Sequence, residues 1–528
     1  MLKSFLLFTV LFVLAAPLVS GKELPITLDI VNTVLGPDGF NRSVITANGT
    51  YPGPLIRAEK GDHLKVTVNN RLTDPTMRRS TSINFDGIYV NTSNNFNEGS
   101  SFVDTCPFGP NTTYVYDVPL IDDQTGTHWY HSMLSVQYVD GLRGPLIIYD
   151  PDDPQKDLYD IDDESTIIQI GDWWHNTSVE LLANYTSGQG QGVVPVPDCG
   201  TMNGRGRFVG GPEVPFSVTT VTPGKRHRLR IINESARDVF TVSIDNHSVT
   251  VIEADGVAHE PYTVDQLDIH AGQRYSLILN ANQPVGNYWI RAPLAGGDLF
   301  ENPNQDPSLS KGILRYAGAP EEDPTSDEQT NPNIFNEANL VPLFGAGDLG
   351  QGPADINLTL TLVPILGFAI WTVNNVSYVA PEVPTLVKIL SDNATTEADF
   401  NVTENTFILP RNKIIDITFP PNDDDDAHPI HLHGHNFEVI KSSTGNTTNL
   451  VNPPRRDVTA AASTGMSLRF RTDTPGPWFF HCHIFWHMQA GLATVMLTDP
   501  QATRDAVHPT PEWEALCPAY AALPAELQ

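Results

Sequence analysis

Basic residues are scarce in this chain: 31 Lys and Arg stand against 62 Asp and Glu, a net charge of −31 over 528 residues. Nucleic acids and anionic membranes both select for basic patches, so the deficit argues against either as a partner. Solubility in an acidic or lignocellulosic medium is the plainer account of the charge. Long apolar runs are also rare. The one from Phe5 to Ala16 is too short for a bilayer, which takes roughly 20 apolar residues. With Lys3 before it and Ser20 and Gly21 after it, the run reads as a signal peptide over residues 1–21, and no second such segment follows. A secreted, extracellular, soluble mature chain is expected, and its thirteen Asn-X-Ser/Thr sequons, among them Asn41, Asn48, Asn91, Asn233 and Asn446, suit a glycoprotein.

Helical periodicity is scarce as well. Short β-branched runs dominate instead, including Leu64–Asn69, Thr166–Ile170, Arg228–Ile232, Tyr275–Asn280 and Ile414–Phe419, each bounded by turn residues. They predict an all-β chain of several sandwiches. Joints at Pro151–Pro154 and across 318–332 divide the mature sequence into about 22–150, 155–318 and 333–528.

Only four cysteines occur. One, Cys482, lies in His481-Cys482-His483, with His487 after it and His428, His431, His433 and His435 upstream. Copper(II) favours imidazole, and a trigonal site of two histidines and one thiolate suits fast electron transfer. His428, His487 and Cys482 can supply that site. On an extended backbone His481 and His483 then point the opposite way from Cys482, giving electrons a covalent exit. The remaining cysteines are odd in number. Cys106 and Cys517, each followed by proline, are the expected disulfide and Cys199 a buried free thiol, although spacing alone does not fix the pairing.

The chain resembles the laccases, fungal-type multicopper oxidases, over nearly its whole mature length. The resemblance rests on His428-Pro-Ile-His431-Leu-His433-Gly-His435 and His481-Cys-His483-Ile-Phe-Trp-His487, with Tyr130-His-Ser-Met133, Asp140-Gly-Leu-Arg-Gly-Pro145, Val221-Thr-Pro-Gly-Lys225, Ser243-Ile-Asp-Asn-His247 and Arg455-Arg-Asp-Val458. It implies three consecutive cupredoxin-like Greek-key β-sandwich or barrel domains, lignin-degrading chemistry, phenolic or aromatic amine substrates, and dioxygen as acceptor. The implied cofactor is copper: a type 1 ion on His428, Cys482 and His487 with Leu492 axial, and a type 2 ion and type 3 pair forming a trinuclear cluster.

At that cluster the sequence departs from the family. His-Trp-His-Gly is Asn84-Phe85-Asp86-Gly87, and His-Ser-His is His131-Ser132-Met133. Carried over, the type 2 ion keeps His431 and meets Asn84. One type 3 ion keeps His131 and His483 and meets Asp86, and the other keeps His433 and His481 and meets Met133. Asp86 is shorter than histidine, so its backbone is expected to have to approach, and Met133 favours copper(I). His128, three residues from His131 on a strand, is expected to face away, and His435 and His247 are not carried over as ligands. Glu98 falls where the family has a proton-relay acid. Arg237 replaces the acid beside the substrate, with Asp238 next to it. Val139 and Ala236 stand where a second disulfide is often found. The expectation is a type 1 site able to oxidise phenol-type molecules with strongly impaired dioxygen reduction. An active laccase with an altered cluster and a non-catalytic copper-binding or partner subunit, whose heteromeric partner the sequence does not name, are the alternatives.

Overall fold

The computed structural model describes residues 21–121, 124–187, 192–295, 302–365, 367–422 and 426–528. The expected signal peptide therefore lies outside the described residues, apart from Gly21. Strands dominate, and they assemble as three β-sandwich units in chain order. The runs read from the sequence are strands here, with residues 64–69 inside His63–Asn70 and residues 228–232 inside Arg226–Asn233. In His63–Asn70 the side chains of Leu64, Val66 and Val68 are buried at every second position, the period that packs one face of a sheet.

The first unit pairs a sheet built on Glu23–Leu35 and His63–Asn70 with one built on Ile56–Glu59, Arg143–Tyr149, Gly126–Ser132 and Ile83–Asp86. In the second sheet Asn84 lies directly opposite His131, and Asp86 opposite Trp129. In the third unit His428–Leu432 runs antiparallel between Val458–Ala461 and Gly476–Cys482, with Ile430 opposite Cys482 and His431 opposite His481. One apolar core runs through the first and third units, including Val66, Trp129, Leu146, Ile430 and Trp478, whereas the second unit keeps its own around Leu229, Val251 and Leu277. The histidine-bearing faces of units one and three thus meet directly.

Buried arginines bolt the units together. Arg143 of the first unit donates to the carbonyls of Glu234 (2.6 Å) and Asp172 (2.8 Å) in the second. Arg456 of the third unit pairs with Asp255 at 2.8 Å. Glu253 of the second accepts the Thr127 backbone N–H at 2.8 Å and pairs with Arg228. Cys106 and Cys517 form a disulfide across 411 residues of sequence, tying the last helices to the first unit. Cys199 is a buried free thiol whose pKa burial pushes up.

One sequon is not available to a glycan. Asn233 is fully buried, and its amide donates to the carbonyls of Asp238 (3.0 Å) and Ile269 (2.7 Å).

Candidate metal centre

His428 starts one strand, Cys482 ends its neighbour, and His487 follows on the short helix Phe485–Gln489. Their donor atoms converge in a buried triangle: Nδ1 of His428 and His487 are 3.3 Å apart, and Cys482 Sγ is 3.8 and 4.0 Å from them. An ion bound at about 2.0 Å to nitrogen and 2.3 Å to sulfur in a trigonal plane separates its donors by about 3.5–3.7 Å. The triangle matches, so these residues fit a thiolate-bound copper. Trp371 packs on both imidazoles, at 4.7 and 4.6 Å between ring centroids. Leu492 is buried beside Cys482, whose N–H donates to the Leu492 carbonyl at 3.1 Å. Its hydrocarbon tip offers no donor.

Beside His487 a shallow cleft of about 80 Å³ is lined by Arg237, Asp238, His270, Pro429 and Ile484. The Asp238 side chain is fully buried, 3.5 Å from the Arg237 guanidinium, and the Arg237 side chain keeps 17% of its surface exposed. A cation, with the acid behind it, faces incoming molecules here.

Because Cys482 points to the triangle, His481 and His483 point to the seam between units one and three, where His131, His431, His433, Asn84, Asp86, Glu98 and Met133 also lie buried. The five imidazoles expected there are all present. His128 is not among them: its Nε2 meets the Thr125 carbonyl at 3.1 Å and its Nδ1 lies 3.4 Å from Arg274, at the junction of the units.

The Asp86 carboxylate reaches its neighbours directly. Its Oδ2 lies 2.9 Å from His483 Nε2 and 3.5 Å from His131 Nε2, and its Oδ1 lies 3.4 Å from Arg274. The carboxylate itself enters the space between the imidazoles. Burial opposes its charge, but His431, His131 and His483 hold its pKa well below the usual carboxylate range. Burial also lowers the pKa of His131, and that of His431 to about 3. These directions conflict if the imidazoles must supply the positive charge. Arg274, which stays protonated, is the partner that resolves the conflict. It also grips both oxygens of Asp457, at 2.6 and 2.7 Å, which ties Asp457 into a buried ion pair beside His431 and Asp86.

Asn84 donates its amide N–H to the Glu98 carbonyl (2.9 Å) and to Glu98 Oε1 (2.7 Å), leaving its Oδ1 buried with no partner. Glu98 Oε1 also accepts His433 Nδ1–H, and Ser100 Oγ lies 3.1 Å from that nitrogen. Burial alone would lower the His433 pKa, but Glu98 reverses this and raises it. Beyond it, His433 Nε2 lies 3.0 Å from His481 Nε2, and His481 Nδ1 is used by the Cys482 carbonyl at 2.9 Å. Glu98, His433 and His481 thus form one chain of contacts in which two expected metal donors face each other. Asn84, Asp86 and Met133, standing where the resemblance places imidazoles, do not fit the full set of three coppers.

Arg274, Asp457 and Ser100 were not singled out by sequence reasoning. Asp457 lies inside the quoted Arg455–Val458 motif, which was the available signal; Arg274 had none.

Sequence models described as multicopper oxidase match residues 30–153, 164–319 and 378–502. "Laccase-2" of Agaricus bisporus is 45% identical over 527 residues, 98% of this chain and 99% of that one. "Laccase-4" of Thanatephorus cucumeris is 48% identical, covering 88% of each. Among solved structures, the laccase from Botrytis aclada superposes with a TM-score of 0.82 at 32% identity, covering 96% of this chain and 94% of the other.

Proposed function

Since the chain belongs to the multicopper oxidase family and is laccase-like over almost its entire length, we propose that it is a secreted laccase-type oxidoreductase with an altered cluster. In this reading it takes single electrons from phenols or aromatic amines at a copper on His428, Cys482 and His487, and dioxygen is the terminal acceptor. The observation that carries it is the convergence of two Nδ1 atoms and one Sγ at trigonal spacing. Bound there, copper would supply one-electron redox chemistry, with His428, Cys482 and His487 as its holders and the hydrocarbon side chain of Leu492 adding no donor.

This chain's own residues do the rest. His487 lines the cleft, so a substrate seated there is separated from the metal position by one imidazole. The Arg237 guanidinium orients anionic or electron-rich ring substituents. Asp238, behind it, is one of the cleft's groups that could take up a phenol proton, with His270 and Asp426 on the same lining. On the far side, Glu98 holds a proton at His433 Nδ1.

A second reading, electron uptake with strongly impaired dioxygen reduction, is favoured by the attachment of Asn84 to Glu98. The two are separated by copper loading followed by anaerobic addition of a phenol. Both expect the blue absorption to bleach. Under the first, admitted dioxygen restores the colour repeatedly and is consumed in proportion to phenol; under the second, reoxidation is slow and uptake stays near background. A loaded chain with no blue band defeats both.

A further inference from the structure

The misfit at the seam between units one and three points to a different site. We infer that Asp86, His131 and His483 hold one divalent first-row transition ion as a mononuclear two-histidine, one-carboxylate centre, instead of sharing in a coupled copper pair. Two donors at about 2.1 Å from an ion, at angles between square and tetrahedral, lie about 3.0–3.4 Å apart. Asp86 Oδ2 is 2.9 Å from His483 Nε2 and 3.5 Å from His131 Nε2, and all three side chains are buried.

Hydrogen bonding sharpens the case. His131 Nδ1 donates to the Ser132 carbonyl at 2.9 Å, so its Nε2 presents a lone pair. That lone pair faces Asp86 Oδ2, also an acceptor, at 3.5 Å. Two buried electron-pair donors aimed at each other call for a cation. Arg274 does not fill the role, because it sits against the other oxygen, Oδ1, at 3.4 Å. By taking Oδ1 it turns Oδ2 toward the imidazoles, as a ligand's hydrogen-bond partner fixes its orientation.

The shorter arm of aspartate draws the ion toward the strand Ile83–Asp86. It is drawn away from His433 and His481, whose Nε2 atoms already contact each other at 3.0 Å. One carboxylate with two imidazoles and open positions is the donor set that iron(II) sites use, and it admits cobalt(II) and zinc(II) as well as copper(II).

The inference relies on the proposed function only in assigning copper to Cys482, and the two are read separately. The full-length glycosylated chain is given one equivalent of copper and then titrated with cobalt(II). We expect one cobalt per chain, weak d–d bands of a five- or six-coordinate ion, and an unchanged blue band. The isosteric Asp86→Asn variant should weaken cobalt binding at least tenfold. No cobalt uptake, two interacting cobalt ions, or equal affinity in Asp86→Asn would each overturn the centre. If that variant does not fold, X-ray absorption of the wild-type cobalt form decides: two imidazoles in the shell support the site, and none or three overturn it. Should the blue band never form, the type 1 assignment fails, while cobalt uptake lost in Asp86→Asn still supports the triad.

Discussion

Asn84 and Glu98 are joined twice, the amide N–H groups reaching the Glu98 carbonyl at 2.9 Å and its carboxylate at 2.7 Å. The bond matters because the same carboxylate holds His433. An amide at position 84 is therefore tied through its N–H groups to the acid that holds His433, while its Oδ1 stays buried without a partner.

Changing Asn84 to histidine alone leaves Asp86, Met133 and the Arg274–Asp457 clamp in place. We expect no gain in dioxygen consumption from the single change. Asn84→His, Asp86→His and Met133→His together should raise uptake at least tenfold, measured with an oxygen electrode after copper loading.

Cys482 is the only sulfur in the buried triangle. Cys482→Ser should abolish the blue absorption and bring phenol oxidation to background. The buried imidazole pair at 3.3 Å remains able to hold an ion of other spectral type. Visible and EPR spectra of the loaded variant check this.

Arg237 presents a cation where a phenol would deliver its proton. Arg237→Asp should raise kcat/KM for a neutral phenol about 100-fold, the lower end of what a positioned general base contributes. The gain should be smaller for a substrate with no proton to lose. Steady-state kinetics with both substrate kinds provide the comparison.

Glu253 ties units one and two. Burial opposes its ionisation, yet Arg228 and Arg230 lower its pKa from 4.5 to about 2. A depressed carboxylate pKa contributes stability that is complete above about pH 4.5 and is lost as pH falls toward about 2. Urea unfolding across that window should show falling stability in the wild type and a flatter profile in Glu253→Gln. At pH 6 the variant should be weaker by about 3 kcal/mol, since Arg228 loses one of its buried carboxylate partners and is left with Asp153 at 2.8 Å.

The Cys106–Cys517 bridge closes a loop of most of the chain. Replacing both residues with serine should cost about 2–5 kcal/mol and lower the thermal midpoint seen by calorimetry.

Much of the site was legible in the residues. Alternation along Gly476–Cys482 sends His481 and Cys482 to opposite faces, and a cross-strand partner sets His431 against His481. The strands around Val66 and Ile417 were readable because apolar side chains recur with period two. What escaped depends on contacts between units. Arg274 in the second meets Asp86 from the first and Asp457 from the third, and no local pattern encodes a three-way ion pair. The reach of Asp86 could not be judged from the length of its side chain alone. The structure instead brings His483 to within 2.9 Å of it. Sequons carry no mark of burial, so Asn233 looked like any other.

The histidines flanking Cys482 end in unlike places. His483 abuts the carboxylate of Asp86, whereas His481 abuts a second imidazole, that of His433. The two branches leaving the sulfur are therefore chemically unequal, and a substitution at position 86 bears directly on only one of them.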